Sequence, residues 1–159
     1  MPADRLTTEE SAALGRLANL VDRRRLRIYR SSGGLTGLVR SAVLCISRNR
    51  AVALGHHVFL PDRCAHELPV LAHELTHCAQ YHAWGAARYY ARGIRAQLQD
   101  LLHRKLRLCA SPYGYLGEGR KPFTEYGMEQ QGQIVEDCFR GHAEAQSLSP
   151  FRPGDRSAS

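Results

Sequence analysis

Residues 71–78 read Leu71-Ala72-His73-Glu74-Leu75-Thr76-His77-Cys78, and no other stretch constrains the fold as strongly. The segment from His73 to His77 has the pattern H-E-x-x-H. Positions i and i+4 of a helix lie one turn apart on the same face, so two imidazoles there can reach a common point. Glu74 lies about 100° further round the helix, beside that point. The pattern therefore predicts a helix that presents these three side chains together.

The residues around the pattern support a helix with an apolar back and a polar front. Its apolar side chains recur at helical spacing and mark a core-facing stripe: Leu68, Leu71, Leu75 and Cys78. His73 and His77 fall nearly opposite that stripe, as in a helix that forms one wall of a cleft. We expect the helix to begin near residue 66 and to end near residue 82, with Pro69 in its first turn, where proline is tolerated.

The chemistry of this pattern is specific. Two imidazoles at this spacing can hold one Zn²⁺, each at about 2.0–2.1 Å. The carboxylate of Glu74 can reach a water at that metal and act as a general base, as in zinc-dependent peptidases. The composition of the chain predicts only roughly 0.02 chance occurrences of the motif. We therefore predict a metal site with His73 and His77 as ligands and Glu74 as the catalytic residue.

A catalytic zinc normally has three protein ligands and a water, so a third ligand is needed. A metzincin would have a third histidine at position 83, which is Ala83 here. His82 lies about 140° round the helix from His77 and cannot join the same metal. A carboxylate from a later helix remains, and Glu129 and Glu136 are both candidates. They are seven residues apart and share one helical face, so spacing does not separate them.

Composition restricts the class of protein. The 159 residues are enough for one domain with a real core, and the hydrophobic fraction of 43% is ordinary for a globular protein. The net charge of +7 favours acidic surroundings such as nucleic acid, anionic lipid or bacterial cell wall. No nucleic-acid-binding signature accompanies the charge, so we do not expect a nucleic-acid partner.

The five cysteines are odd in number, and no pair has C-x-x-C spacing. This argues against a disulfide framework and against a cysteine-type zinc site. No apolar run is long enough to span a membrane, and the first 20 residues lack the apolar region of a signal peptide. We therefore expect synthesis in a reducing compartment without a signal peptide.

The coarse pattern predicts a mainly helical α+β domain over residues 1–146, with a small, mostly antiparallel sheet packed on the active-site helix. Residues 1–25 should hold an N-terminal helix that begins at Thr7 or Thr8, residues 26–61 the strands, and residues 66–146 the remaining helices. The apolar runs at 43–46 and 51–54 are predicted strands joined by a turn, and 57–60 extends the second. The Ser/Pro/Gly-containing segment 147–159 is predicted to be a disordered tail.

Two further helices are expected after the motif. In the first, from about 86 to 107, the apolar side chains at helical spacing predict a core stripe: Ile94, Leu98, Leu101 and Leu102. Arg88, Arg92 and Arg95 lie on another face, which we expect to be solvated. The second runs from about 127 to 145 and carries both candidate carboxylates.

Two blocks of sequence resemble small bacterial zincin-like metallopeptidase domains. They are residues 71–77 with Gln80, and residues 126–131 followed by Ile-Val-Glu-Asp at 134–137. Such domains are associated with type VI secretion spike proteins and Rhs-type toxins. The resemblance covers roughly residues 28–139. In the gluzincin pattern the third ligand is the first residue of an E-x-x-x-(D/E) element, which implies Glu129. The last position of that element is Gln133 here, and an amide orients a ligand imidazole more weakly than a carboxylate.

Taken with the motif, the resemblance implies a zinc metallopeptidase toxin that hydrolyses peptide bonds in a peptide or protein substrate. It implies delivery into a target cell, to the periplasm or a host, with a secretion spike protein and a cognate immunity protein as partners. It also implies that substrate binds as an added strand along residues 51–60. The alternative is a metal-stabilised adaptor of a secretion system without turnover. Tyr126 is predicted as the catalytic oxyanion donor, and the other candidates near the third ligand are Tyr113, Tyr115 and His142.

Overall fold

The computed structural model describes residues 3–30, 34–106, 111–116 and 120–155, and it has a mainly helical α+β fold, as predicted. Short 3₁₀ turns at Asp62–Cys64 and Phe123–Glu125 precede the helices that begin at Leu68 and Met128. In chain order the elements are α1 Thr8–Leu14, α2 Arg16–Asn19, β1 Arg27–Tyr29, α3 Gly34–Ile46, β2 Val52–Leu54, β3 His57–Phe59, α4 Leu68–Trp84, α5 Ala86–Leu106, α6 Met128–Phe139 and α7 Ala143–Leu148.

The N-terminal region forms two short helices where one was predicted. The predicted start is confirmed, because the Thr7 hydroxyl accepts from the Glu10 backbone N–H and the Glu10 carboxylate accepts from the Thr7 backbone N–H. α1 ends at Gly15, whose φ of 54° is in the left-handed region that favours glycine. A side chain at Gly15 would also collide with the backbone of Asp155, so the break is tied to tertiary packing.

The three strands form a mixed sheet in the order β1-β3-β2. β2 and β3 are antiparallel and are joined by a two-residue turn at Gly55 and His56, where Gly55 has a φ of 64°. The segment 57–60 is thus a separate strand and does not extend the preceding one past Gly55. β1 pairs with β3 in parallel, and Asp4 adds an isolated antiparallel bridge to Ile28.

The predicted strand at residues 43–46 is wrong, since these residues end helix α3. The connection from β1 to its parallel neighbour β3 requires a crossover, and α3 supplies it. Arg40 fixes the inner side of this helix, because its buried guanidinium donates to the Leu60 backbone oxygen at 2.8 Å and to Asp62 at 2.7 Å. A run of four apolar residues fits a helix or a strand, and the tertiary contacts selected the helix.

α4 lies at the centre of the domain and packs chiefly against α6. It begins and ends about two residues later than predicted, with Glu67 as N-cap, Pro69 in the first turn and Gly85 (φ 76°) at its end. The predicted stripe lies in the main core, where Leu71, Leu75 and Cys78 are buried. The four described cysteines are all free.

The predicted core stripe of α5 is wrong, because it faces solvent. Ile94, Leu98, Leu101 and Leu102 are 62%, 55%, 43% and 41% exposed. The inner side of the helix is formed by Tyr89 and Asp100, which are buried, and by small residues between them. Among the described residues, no helix combines the length and apolar content that a membrane span requires.

The C-terminal region is ordered further than predicted. The predicted helix from 127 to 145 is divided at Gly141 (φ 89°) into α6 and α7. Beyond α7, Phe151 packs against the main core, and the Gly154 backbone N–H donates to the Ala13 carbonyl at 2.8 Å. The predicted disorder is therefore wrong for residues 147–155, and residues 156–159 lie outside the described part.

Candidate metal centre

Helices α4 and α6 bring three metal-binding side chains to one point. His73 and His77 project from α4, and Glu129 projects from the first turn of α6. The two histidine Nε2 atoms are 3.1 Å apart, and Glu129 Oε2 lies 3.5 Å from Nε2 of His77 and 3.9 Å from Nε2 of His73. Donors of a tetrahedral zinc site with bonds of about 2.0–2.1 Å are separated by about 3.3–3.4 Å. These residues can therefore hold a metal ion.

The His73 ring is oriented by a chain of charged groups. Its Nδ1 lies 3.0 Å from Oε2 of Glu136, whose other carboxylate oxygen accepts from Arg140 at 2.9 Å. Arg140 also donates to Glu67, the N-cap of α4, at 3.1 Å. Burial would raise the pKa of Glu136, but His73 and Arg140 outweigh it and lower that pKa, so Glu136 is a carboxylate. Because a carboxylate only accepts, His73 donates through Nδ1 and directs Nε2 at the other ligands.

The His77 ring is oriented by a chain of amides. Its Nδ1 donates to Oε1 of Gln80 at 2.8 Å. The amide nitrogen of Gln80 donates to the Met128 carbonyl at 3.2 Å and to Oε1 of Gln131 at 2.9 Å. Gln131 in turn donates to the Tyr126 carbonyl at 2.9 Å. Because the last acceptors are backbone carbonyls, the orientation of both amides is determined, and His77 is left with Nε2 directed at the site.

Glu74 has the environment expected of a general base beside a metal. The residue is 5% exposed, and its buried Oε2 has no hydrogen-bond partner among the described residues. Burial raises the pKa of this carboxyl, and the neighbouring imidazoles His73 and His77 offset only part of that increase. A buried carboxylate oxygen without a partner is costly and calls for a cation or a water beside it. The donor set and this oxygen together fit a bound cation.

Without a metal ion, the His73 imidazole of the site is protonated. Burial alone would lower the pKa of His73, but the neighbouring carboxylates of Glu129 and Glu136 outweigh this and raise the pKa to about 10. Burial would raise the pKa of Glu129, yet the charges of His77 and His73 hold it well below its usual range. The site thus pairs a cationic imidazole with a carboxylate, and a bound metal ion would take the place of the proton.

Gly132 lets α6 approach the His73 ring. A Cβ built at Gly132 would lie 2.8 Å from Nε2 of His73 and 3.0 Å from Cδ2 and Cε1. Any larger residue would therefore displace the ligand ring or separate α6 from α4. This contact brings the helix that carries Glu129 within ligand distance.

The structure separates the two candidate carboxylates that spacing left open. Glu129 joins the group that can hold a metal, as the resemblance implied, whereas Glu136 faces the opposite nitrogen of His73. The expected weak orientation through Gln133 does not arise, because Gln133 bonds Asp137 and the orienting role lies with Glu136 and Gln80.

The four candidate oxyanion donors have different surroundings in the structure. The ring of Tyr126 is buried in a second core cluster, and its backbone carbonyl ends the amide chain behind His77. Tyr115 donates its hydroxyl to Asp137, and His142 is an exposed neighbour of the same carboxylate. Tyr113 has its hydroxyl 3.5 Å from Arg50. The role of Tyr126 as oxyanion donor stays a prediction.

The sheet edge expected to bind substrate is partly occupied. β2 is an edge strand, as the resemblance implied for residues 51–60, and it packs against α4. The Ala53 carbonyl in the middle of β2 accepts from the Tyr89 hydroxyl of α5 at 2.8 Å. A substrate strand at this edge would therefore meet an Ala53 carbonyl that already accepts a hydrogen bond.

Sequence reasoning missed three functional features: the orienting role of Glu136, the Gln80–Gln131 amide pair and the close approach at Gly132. Gln80 had a local signal, because it is three residues after His77 and shares its helical face. The other two depend on the packing of α6 on α4.

Comparison of the chain with protein-family models, with curated proteins and with solved structures finds no match.

Proposed function

We propose that this protein is a zinc-dependent metallopeptidase in which Glu74 is the general base. One observation carries the proposal. Three ligand atoms from His73, His77 and Glu129 converge beside a buried Glu74 oxygen that has no partner. A purely structural metal site has no use for such an oxygen, and structural zinc sites are closed by four protein ligands. The described residues supply only three ligands to this group.

Bound zinc would polarise the scissile carbonyl and lower the pKa of the attacking water. Glu74 accepts the proton of that water on its buried carboxylate and transfers it to the leaving nitrogen. Its raised pKa suits this task, because a base that is too acidic would not take the proton near neutral pH. Glu136 and Gln80 keep both imidazoles in the tautomer that presents Nε2.

The biological setting of the proposal rests on the resemblance alone. We propose a bacterial effector toxin that is carried by a type VI secretion spike protein, acts on a peptide or protein in the target cell and is neutralised by an immunity protein. The charge of +7 is compatible with acidic surroundings in that cell.

The test combines metal content with turnover. Purified wild type should hold about one zinc per chain, and His73→Ala and Glu129→Ala should lose it. Glu136→Ala should retain zinc at saturating metal, because Glu136 lies on the far side of the ring. Glu74→Gln should retain zinc and lose cleavage of a denatured protein substrate, or lose toxicity on expression in the periplasm.

The outcomes separate the proposal from the adaptor alternative. Zinc that is retained in Glu74→Gln, with toxicity or cleavage equal to wild type, would show a metal-stabilised module without peptidase chemistry. Absence of zinc from carefully handled wild type would overturn both.

A further inference from the structure

Helix α5 presents an apolar face to solvent along most of its length. Seven exposed apolar residues lie within about 120° of one another on the helical wheel, and no polar residue with a described side chain lies among them: Ala87, Tyr90, Ala91, Ile94, Leu98, Leu101 and Leu102. Polar contacts of two buried residues, Tyr89 and Asp100, fix this orientation. On the inner side Tyr89 donates to the Ala53 carbonyl, and Asp100 lies 3.9 Å from Arg50. The helix therefore cannot rotate its apolar face inward without breaking these contacts.

Basic side chains border the same face. Arg88, Arg92 and Arg95 are exposed, and they lie about 20–80° beyond its edge at Leu102. The single acidic residue among the described side chains of α5 is Asp100, which is buried on the opposite side. The chain as a whole has a net charge of +7. An apolar face bordered by arginines on a helix of low overall hydrophobicity is the pattern of helices that lie in a membrane interface.

We infer that α5 docks this protein on an anionic lipid surface, with Ile94 and Leu98 in the acyl boundary and the three arginines at the phosphates. The face lies on the outer side of one helix, which a fluid bilayer accommodates, whereas a protein partner would need a matching groove. A second copy of the chain would set arginine rows against each other, so charge disfavours self-association through this face. The inference does not depend on the metal site or on peptidase activity.

α3 provides a matched control surface. Its outer face is also apolar, with Leu35, Leu38 and Ile46 exposed by 83%, 69% and 85%. Its own arginine, Arg40, is buried and bonded inward, so no cation of α3 borders that face. If an exposed apolar face alone were sufficient for binding to anionic lipid, the face of α3 would bind as well as that of α5. If bordering arginines are also needed, only the face of α5 will bind to anionic lipid.

The experiment is co-sedimentation of the full chain with large unilamellar vesicles. One set is an equimolar mixture of phosphatidylglycerol and phosphatidylcholine, and the other is phosphatidylcholine alone. Wild type should bind the anionic vesicles and not the neutral ones, with weaker binding at high salt. Ile94→Gln with Leu98→Gln should lower the partition coefficient at least about tenfold. Arg88→Gln with Arg95→Gln should also lower it, whereas Leu35→Gln with Leu38→Gln should leave it unchanged.

Trp84 supplies a second readout without a label. It is the single tryptophan of the chain, and Arg92 stacks on its ring at 4.1 Å beside α5. Its emission should shift to shorter wavelength with anionic vesicles and stay unchanged with neutral ones. Circular dichroism of each variant checks the fold.

Three outcomes would overturn the inference. The first is that wild type does not bind anionic vesicles, in which case this face would instead be a binding site for an acidic protein. Another is salt-sensitive binding that survives the Ile94/Leu98 change, which would show charge attraction alone. The third is that the Leu35/Leu38 change in α3 weakens binding to anionic vesicles as much as the Ile94/Leu98 change does.

Discussion

The closest contact at the proposed metal centre predicts the effect of Gly132→Ala. The new Cβ would lie 2.8 Å from Nε2 of His73, while ordinary van der Waals contact begins at 3.4 Å, a shortfall of 0.6 Å. The ring cannot simply recede, since its Nδ1 is held by Glu136 at 3.0 Å. Zinc sites tolerate ligand displacements of only about 0.2 Å. We therefore expect zinc affinity to fall about 10–100-fold, as when the groups that orient a ligand are removed.

The same change should leave the fold nearly intact. Alanine in a helix interior is favoured over glycine by about 1 kcal/mol, and overpacking costs about 1–3 kcal/mol. The metal-free variant should thus lose no more than about 2 kcal/mol of unfolding free energy. Gly93→Ala in α5 is the control, because its Cβ would meet nothing within 4 Å. That variant should gain about 0.5–1 kcal/mol and bind zinc as wild type does.

Zinc affinity is measured by competition with a chromophoric chelator, and unfolding free energy by denaturant titration in EDTA. Wild-type zinc affinity in a folded Gly132→Ala variant would refute the proposed ligand geometry. Equal loss of affinity in Gly93→Ala would show that the effect is unrelated to the His73 ring.

Three further predictions concern Glu136, His73 and Arg40. Glu136→Gln should weaken zinc binding about tenfold in the same competition assay, because an amide orients His73 less firmly, and unchanged affinity would contradict that role. Zinc affinity should rise with pH up to about 10, because the raised pKa of His73 keeps the metal-free ring protonated below that value and zinc must displace the proton. Calorimetry at pH 7.5 in buffers of different ionisation enthalpy should show proton release, and a buffer-independent enthalpy would contradict it. Arg40→Met should cost about 1–3 kcal/mol of unfolding free energy by stranding the buried Leu60 carbonyl, whereas Arg63→Met on the exposed 3₁₀ turn should change it little.

The parts of this protein that sequence alone determined depend on neighbours along the chain. The relation of His73, Glu74 and His77 follows from the pitch of one helix. The start at Thr7 and the end of α4 at Gly85 follow from backbone groups that a side chain or a positive φ satisfies locally. Each feature needs only a few consecutive residues, so the pattern predicts it without knowledge of the rest of the chain.

Tertiary structure decided what depends on which surfaces meet. Glu129 and Glu136 share one helical face, and only the packing of α6 on α4, made close by Gly132, sets one against Nε2 of His73 and the other against Nδ1. An amphipathic helix buries its apolar stripe only where an apolar surface faces it. In α3 and α5 the apolar stripes face solvent instead. Arg40 of α3 is buried and donates to the Leu60 carbonyl, and Asp100 of α5 is buried beside Arg50. The periodicity of apolar residues indicates that a helix has two different faces, and the contacts across the domain decide which face lies inside.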